Sequence, residues 1–96
     1  MIKSFKYRPL KQLYEKGVSA RVPTDLRDKL KKALLFLDNM DDPKGVNLPH
    51  WKLHRLKGKL KGQWAISVSA NYRVTFCFVQ GHVEGVNLTD YHRKGV

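Results

Sequence analysis

Gln63-Trp64-Ala65-Ile66-Ser67-Val68-Ser69-Ala70, a break at Asn71, and then Tyr72-Arg73-Val74-Thr75-Phe76-Cys77-Phe78-Val79 decide the fold class of this 96-residue chain. Trp64, Ile66, Val68 and Ala70 alternate with Gln63, Ala65, Ser67 and Ser69, the period of two of a half-buried strand. Tyr72, Val74, Phe76 and Phe78 alternate with Arg73, Thr75, Cys77 and Val79. A second strand therefore turns an apolar face one way and a mixed face carrying Arg73 the other. Gln80-Gly81 is the next turn. His82 to Tyr91 is a third strand, with Val86 and Leu88 on one side and Gly85, Asn87, Thr89 and Tyr91 on the other; Gly85 marks a bulge. Upstream, Trp51 to Leu56 is a further, edge strand before a glycine-flanked turn from Gly58 to Gly62.

Further toward the N-terminus the period changes. Ile2 to Lys6 forms a short opening strand. Pro9 and Gly17 bracket a two-turn helix in the order expected at its first turn and just past its end. After Pro23, Thr24 is the expected N-cap, Asp25 and Asp28 fall in the first turn, and Leu26, Leu30, Ala33, Leu34 and Leu37 recur at helical spacing up to an Asp-rich stop before Pro43. Two helices followed by an antiparallel meander make an α+β domain with the helices on one sheet face. The other face is left open, with Arg73 and Tyr91 on it.

Composition narrows the function. The chain carries 19 Lys and Arg against 8 Asp and Glu, a formal charge of +11, with 42% hydrophobic residues. At this length a chain buries about 60–65% of the surface it exposes when unfolded, enough for one modest core. One domain spanning 1–96 is expected, and a two-domain enzyme with an interdomain cleft is not. The longest uncharged run, Gln63 to Tyr72, falls far short of the ~20 apolar residues of a spanning helix, and Met1 to Lys6 lacks the apolar centre of a signal peptide. No membrane association and a cytoplasmic location are expected. The single Cys77 agrees with a reducing compartment.

The charge is concentrated. Residues 1–22 hold six basic side chains and one acidic, and residues 23–43 are nearly neutral, whereas Lys44 to Gly62 holds six basic residues and no carboxylate. Lys52, Arg55, Lys57, Lys59 and Lys61 lie there with His50 and His54. Like charges at this density repel unless a polyanion supplies the countercharge, and nucleic acid is the expected partner. The competing reading is a solubilising surface or a contact with an acidic protein.

The reactive residues suit one chemistry better than others. His50 and His54 are four apart, but no neighbouring carboxylate or cysteine completes a metal set, so neither a metal nor another cofactor is expected. Glycine-rich phosphate loops and serine-nucleophile elbows are missing from the sequence. The remaining groups fit RNA cleavage, in which a ribose 2′-hydroxyl attacks the adjacent phosphate. One group takes the 2′ proton, another protonates the leaving 5′ oxygen, and cations hold the charge that builds on phosphate. His54 and His92 are the proton-transfer candidates, Lys57 and Arg73 the cations. Tyr91 can stack on a base or pass a proton, and Asp90 can orient a histidine. Alone, each has a plainer reading: a surface histidine, a packing tyrosine, an arginine in a sheet-face ion pair.

At these residues the chain resembles the HigB toxins of bacterial type II toxin–antitoxin systems, within the RelE/ParE superfamily. The resemblance runs from Met1-Ile2-Lys3-Ser4-Phe5-Lys6 through Trp51-Lys52-Leu53-His54-Arg55-Leu56-Lys57-Gly58, Lys61-Gly62-Gln63-Trp64 and Asn71-Tyr72-Arg73 to Asp90-Tyr91-His92. It implies a RelE-like fold and an mRNA interferase that cuts messenger RNA in the ribosomal A site and inhibits growth. It also implies silencing by a HigA-like helix-turn-helix antitoxin, through which alone operator DNA would be met. The family's active-site histidine falls on His54, its phosphate-binding lysine and arginine on Lys57 and Arg73, and its terminal acidic-Tyr-His triplet on Asp90, Tyr91 and His92. Lys52, Arg55, Lys59 and Lys61 would bind RNA or the ribosome. Lys59 stands where relatives are often acidic, Gln63 replaces a frequent aromatic, Tyr72 a common tryptophan and Thr89 a frequent glutamate, and Arg93 to Val96 extend past the usual end. Two other readings compete: a ParE-like toxin that acts on gyrase by binding, and a noncatalytic RNA- or ribosome-binding module.

Overall fold

The computed structural model describes residues 1–17, 19–40, 52–56, 58 and 62–90. Helix α1, Arg8–Lys16, has Pro9 in its first turn and ends at Gly17. Gly17 adopts a left-handed φ of +79°, costly for any residue with a Cβ, and returns its N–H to the Leu13 carbonyl at 2.9 Å. Helix α2, Thr24–Asp38, buries Leu26, Leu30, Ala33, Leu34 and Leu37 as their spacing predicts. Its start corrects one expectation, because Pro23 rather than Thr24 is the cap residue, and no side chain caps the helix. The φ of Pro23, −53°, already lies in the helical range, so the chain can turn immediately after it, and its carbonyl accepts the Leu26 N–H at 3.0 Å. At the other end Asn39 closes the helix by donating its side-chain amide to the Leu35 carbonyl at 2.8 Å. The expected Asp-rich stop at Asp41 and Asp42 lies outside the described residues.

Four antiparallel strands follow in the spatial order β1-β2-β3-β4: His54–Arg55, Gln63–Ser67, Tyr72–Val79 and His82–Asp90. Strand β2 is shorter than alternation suggests. Val68 and Ser69 both donate their N–H groups to the Tyr72 carbonyl, and Ser69 Oγ accepts from the N–H groups of Asn71 and Tyr72, so Ser69 and Ala70 belong to the turn. The β3–β4 turn has both central residues left-handed, Gln80 at +49° and Gly81 at +83°. That geometry matches the right-handed twist of the flanking strands. The register slips between Thr75 and Cys77, opposite Gly85 at φ +65°, which is the expected bulge. The opening segment lies parallel beside β4 through bridges from Ile2 to Val83 and Phe5 to Val86.

Both helices cover one face of this sheet. Leu10, Leu13, Leu30, Leu34 and Leu37 pack with Ile66, Val74, Phe76, Val83 and Val86 into a single apolar cluster. Removing the fully buried Phe76 ring would cost about 3–5 kcal/mol. Because successive strand residues alternate, burying this set commits their neighbours to the opposite face.

Candidate functional site

The strand register builds the uncovered face row by row. His54 pairs with Ala65, Ala65 with Thr75, and Thr75 with Asn87, so one row crosses all four strands. Directly paired residues share a face. The neighbouring row on the same side is Ser67, Arg73 and Thr89, and a further one contains Gln63, Cys77 and Glu84. His54 and Arg73 therefore stand on one face, two strands and one row apart. With strands about 4.8 Å apart and about 3.4 Å of rise per residue, their Cα atoms are about 12 Å apart on the diagonal, within joint reach of the two side chains. Ala65 and Thr75 between them are small and buried, so the row is lower in its middle than at its His54 end.

The His54 ring is exposed and oriented. Its Nδ1 lies 2.6 Å from the Lys52 carbonyl oxygen. A carbonyl can only accept, so Nδ1 carries the hydrogen and donates, leaving Nε2 as the basic nitrogen of the neutral ring. Lys52 holds its carbonyl there from a left-handed φ of +50°, a conformation costing roughly 1–2 kcal/mol in a residue with a side chain. On β3, Arg73 is oriented by β4: Nε donates to Thr89 Oγ1 at 3.3 Å, and that hydroxyl donates to the Arg73 carbonyl at 3.3 Å.

Other expected site residues are placed elsewhere. Arg55, next to His54 in a strand, points to the opposite side, where its guanidinium lies 5.3 Å from the Trp64 ring centroid. Asp90 pairs with Tyr72, as Leu88 pairs with Val74, which puts it on the helix-packed side rather than with His54 and Arg73. Lys52 lines a groove of about 570 Å³ beside His54 together with Lys29, Ser67 at the end of β2 and Val68 to Ala70 after it. Lys57, Lys59, Lys61, Tyr91 and His92 lie outside the described residues. Two residues that the structure places beside His54 or Arg73 escape a reading of composition and spacing. Thr89 could have been found only from the register that pairs it with Arg73, and Lys29 sits in a nearly neutral helical stretch that gives no signal. Among the described residues no three His, Cys, Asp or Glu side chains gather as a metal-ligand set.

Two helices on a four-stranded antiparallel sheet, with a polar open face that carries His54 and Arg73, make up the RelE-like class of fold. Solved members of that class superpose over nearly the whole chain. A YafQ variant from E. coli gives a TM-score of 0.62 over 96% of both chains at 18% identity, and the YoeB-YefM complex from Staphylococcus aureus gives 0.61 over 96% of this chain and 98% of that one at 16% identity. These likenesses establish the fold. The family follows from sequence: residues 3–92 match the model of the HigB-like toxin, described as the RelE-like toxin of type II toxin-antitoxin system HigB. The chain belongs to that family. It is also 44% identical over 92 residues, 96% of its length and 100% of the relative's, to the endoribonuclease HigB of Proteus vulgaris.

Proposed function

We propose that this HigB-family toxin is an endoribonuclease that cleaves messenger RNA during translation, without a metal ion. The observation that carries this reading is the shared face of His54 and Arg73, one a ring with an accessible basic nitrogen and the other a tethered cation. In the proposed reaction the 2′-oxygen bonds to phosphorus as its proton passes to a base. The bond from phosphorus to the 5′-oxygen breaks as that oxygen takes a proton from an acid, leaving a 2′,3′-cyclic phosphate and a 5′-hydroxyl. Arg73 stabilises the charge on the non-bridging oxygens, and His54 Nε2 serves one of the two proton transfers. Lys57, Tyr91 and His92 are assigned the remaining roles from their match to the family motif.

An open face grips a flexible strand weakly. Positioning of the message by the ribosome would supply several kcal/mol through orientation, which supports the A site as the place of cleavage and the cytoplasm as the compartment. A toxin of this kind needs an inhibitor, and we assign that role to a HigA-like helix-turn-helix antitoxin; the YoeB neighbour was solved with YefM. The test is to induce the protein in cells and map messenger 5′ ends. Cuts within translated frames that disappear with Arg73→Ala or His54→Ala support the nuclease. Growth arrest with intact messages and gyrase-dependent DNA breaks would overturn it in favour of a gyrase-binding toxin.

A further inference from the structure

The groove beside His54 does not end at the reactive face. It continues past Ser67 and Ser69 to Lys29, on the second turn of α2, with Lys52 on its His54 side. Its volume of about 570 Å³ is in the range of sites that hold a small ligand, about 300–1,000 Å³. Both lysines are exposed cations. Ser69 Oγ accepts the N–H groups of Asn71 and Tyr72 at 3.3 and 3.2 Å, which fixes the hydroxyl and leaves its own hydrogen to donate. A cation beside an oriented hydroxyl donor suits a phosphate oxygen. A second groove of about 350 Å³ adjoins the first, sharing Lys29, Ser69 and Ala70 with it and also containing Asp25, one helical turn before Lys29. That carboxylate opposes a phosphate on its own side of Lys29, so the side of the seat toward His54 and Lys52 is the one that suits an anion.

We propose that Lys29 and Ser69 seat a backbone phosphate of an RNA strand, a different phosphate from the one that reacts at His54 and Arg73. The proposal rests on the nuclease reading only in taking RNA as the polyanion. The seat gives the strand a second anchor, so that the register of the message on the open face depends on α2 as well as on the sheet.

Two probes test it: a short single-stranded RNA with 2′-O-methyl riboses, which cannot be cleaved, and vacant ribosomes. Binding of each is measured against salt for the wild type, Lys29→Gln, Lys29→Arg, Ser69→Ala, Asp25→Asn and, as a control for charge alone, Lys32→Gln. Lys29→Gln should weaken binding about threefold to tenfold and make the slope of log affinity against log salt shallower by about 0.7. Lys29→Arg should keep affinity, Ser69→Ala should weaken it, and Asp25→Asn should strengthen it. Loss with the oligonucleotide identifies the phosphate as the substrate strand's and supports the seat, whereas loss only with ribosomes makes the phosphate ribosomal and overturns the second anchor for the message. Equal behaviour of Lys29→Gln and Lys32→Gln with both probes overturns it, provided thermal melts show all variants folded. Because the oligonucleotide is inert, failure of the nuclease reading would appear separately, as intact messages in cells.

Discussion

The Thr89 hydroxyl accepts a hydrogen bond from Arg73 Nε and donates one to the Arg73 carbonyl, both at 3.3 Å. One β4 side chain thus ties down both ends of the proposed phosphate-binding cation. Thr89→Val keeps the shape and removes both bonds. We expect cleavage to fall about threefold to tenfold, with stability lowered by no more than about 1 kcal/mol. Single-turnover cleavage beside a thermal melt checks this. Unchanged cleavage would mean that Arg73 is held by its other contacts.

His54 is expected to act through Nε2, since Nδ1 is committed to the Lys52 carbonyl. His54→Ala should reduce cleavage by about a hundredfold or more. His54→Asn offers a side-chain N–H toward Lys52 but no basic nitrogen, so it should be equally impaired. Near-normal cleavage by the asparagine variant would assign His54 a positioning role instead of a proton-transfer one.

Arg55 is the contrasting case. Its guanidinium stacks over Trp64 on the side of the sheet away from His54. Arg55→Ala should lower unfolding free energy by about 0.5–1 kcal/mol, the worth of an exposed cation–π contact. It should leave single-turnover cleavage within a few-fold of wild type. A hundredfold loss of cleavage in a fully folded Arg55→Ala protein would place this side chain in the site.

At the far end of the molecule Asp38 accepts hydrogen bonds from the Ile2 N–H at 3.0 Å and the Tyr14 hydroxyl at 2.8 Å. A carboxylate at a helix C-terminus opposes the dipole, and these two bonds offset that cost while fastening the opening segment. The bond to Asp38, then burial and the charges of Asp38 and Glu15, raise the Tyr14 phenol above its ordinary value. With the folded value raised, the stabilisation is complete below about pH 10 and is lost as pH climbs through the folded value. Tyr14→Phe should cost about 0.5–1 kcal/mol near neutral pH, and the gap from wild type should narrow above about pH 10. Urea melts across that range measure it; a gap constant with pH would refute the assignment.

Cleavage should survive removal of divalent metal under conditions that keep ribosomes assembled, and should leave 2′,3′-cyclic or 3′-phosphate ends. Mass spectrometry of the fragments distinguishes these from the 3′-hydroxyl ends expected of metal-activated water. Strict metal dependence with 3′-hydroxyl products would sink the mechanism.

Much of the architecture was legible in local pattern. The alternation of Tyr72 to Val79 and the helical recurrence of Leu26, Leu30, Ala33, Leu34 and Leu37 each match a period that burial imposes on one element at a time. The Gln80-Gly81 turn and Gly85 bulge were legible because left-handed backbone favours few residues. Element ends were less so. Val68 and Ala70 continue the alternation of β2, yet the hydrogen bonds of the turn end the strand at Ser67, and Thr24 is a good cap residue displaced by Pro23.

By itself the sequence determined the helical and extended periods, the concentration of positive charge between Lys44 and Gly62, and, through its ordered motifs, membership of the HigB-like toxins. Those properties depend on residue type and spacing along the chain. The tertiary structure alone decided which of the basic and polar groups meet. Strand register sends His54 and Arg73 to one face, Arg55 and Asp90 to the other, and brings Thr89 to Arg73, while the packing of α2 brings Lys29 to the groove beside His54. The Arg73–Thr89 bond, between residues 16 positions apart, and the groove shared by Lys29 and His54 are created by pairing and packing of whole elements, and no local pattern encodes them.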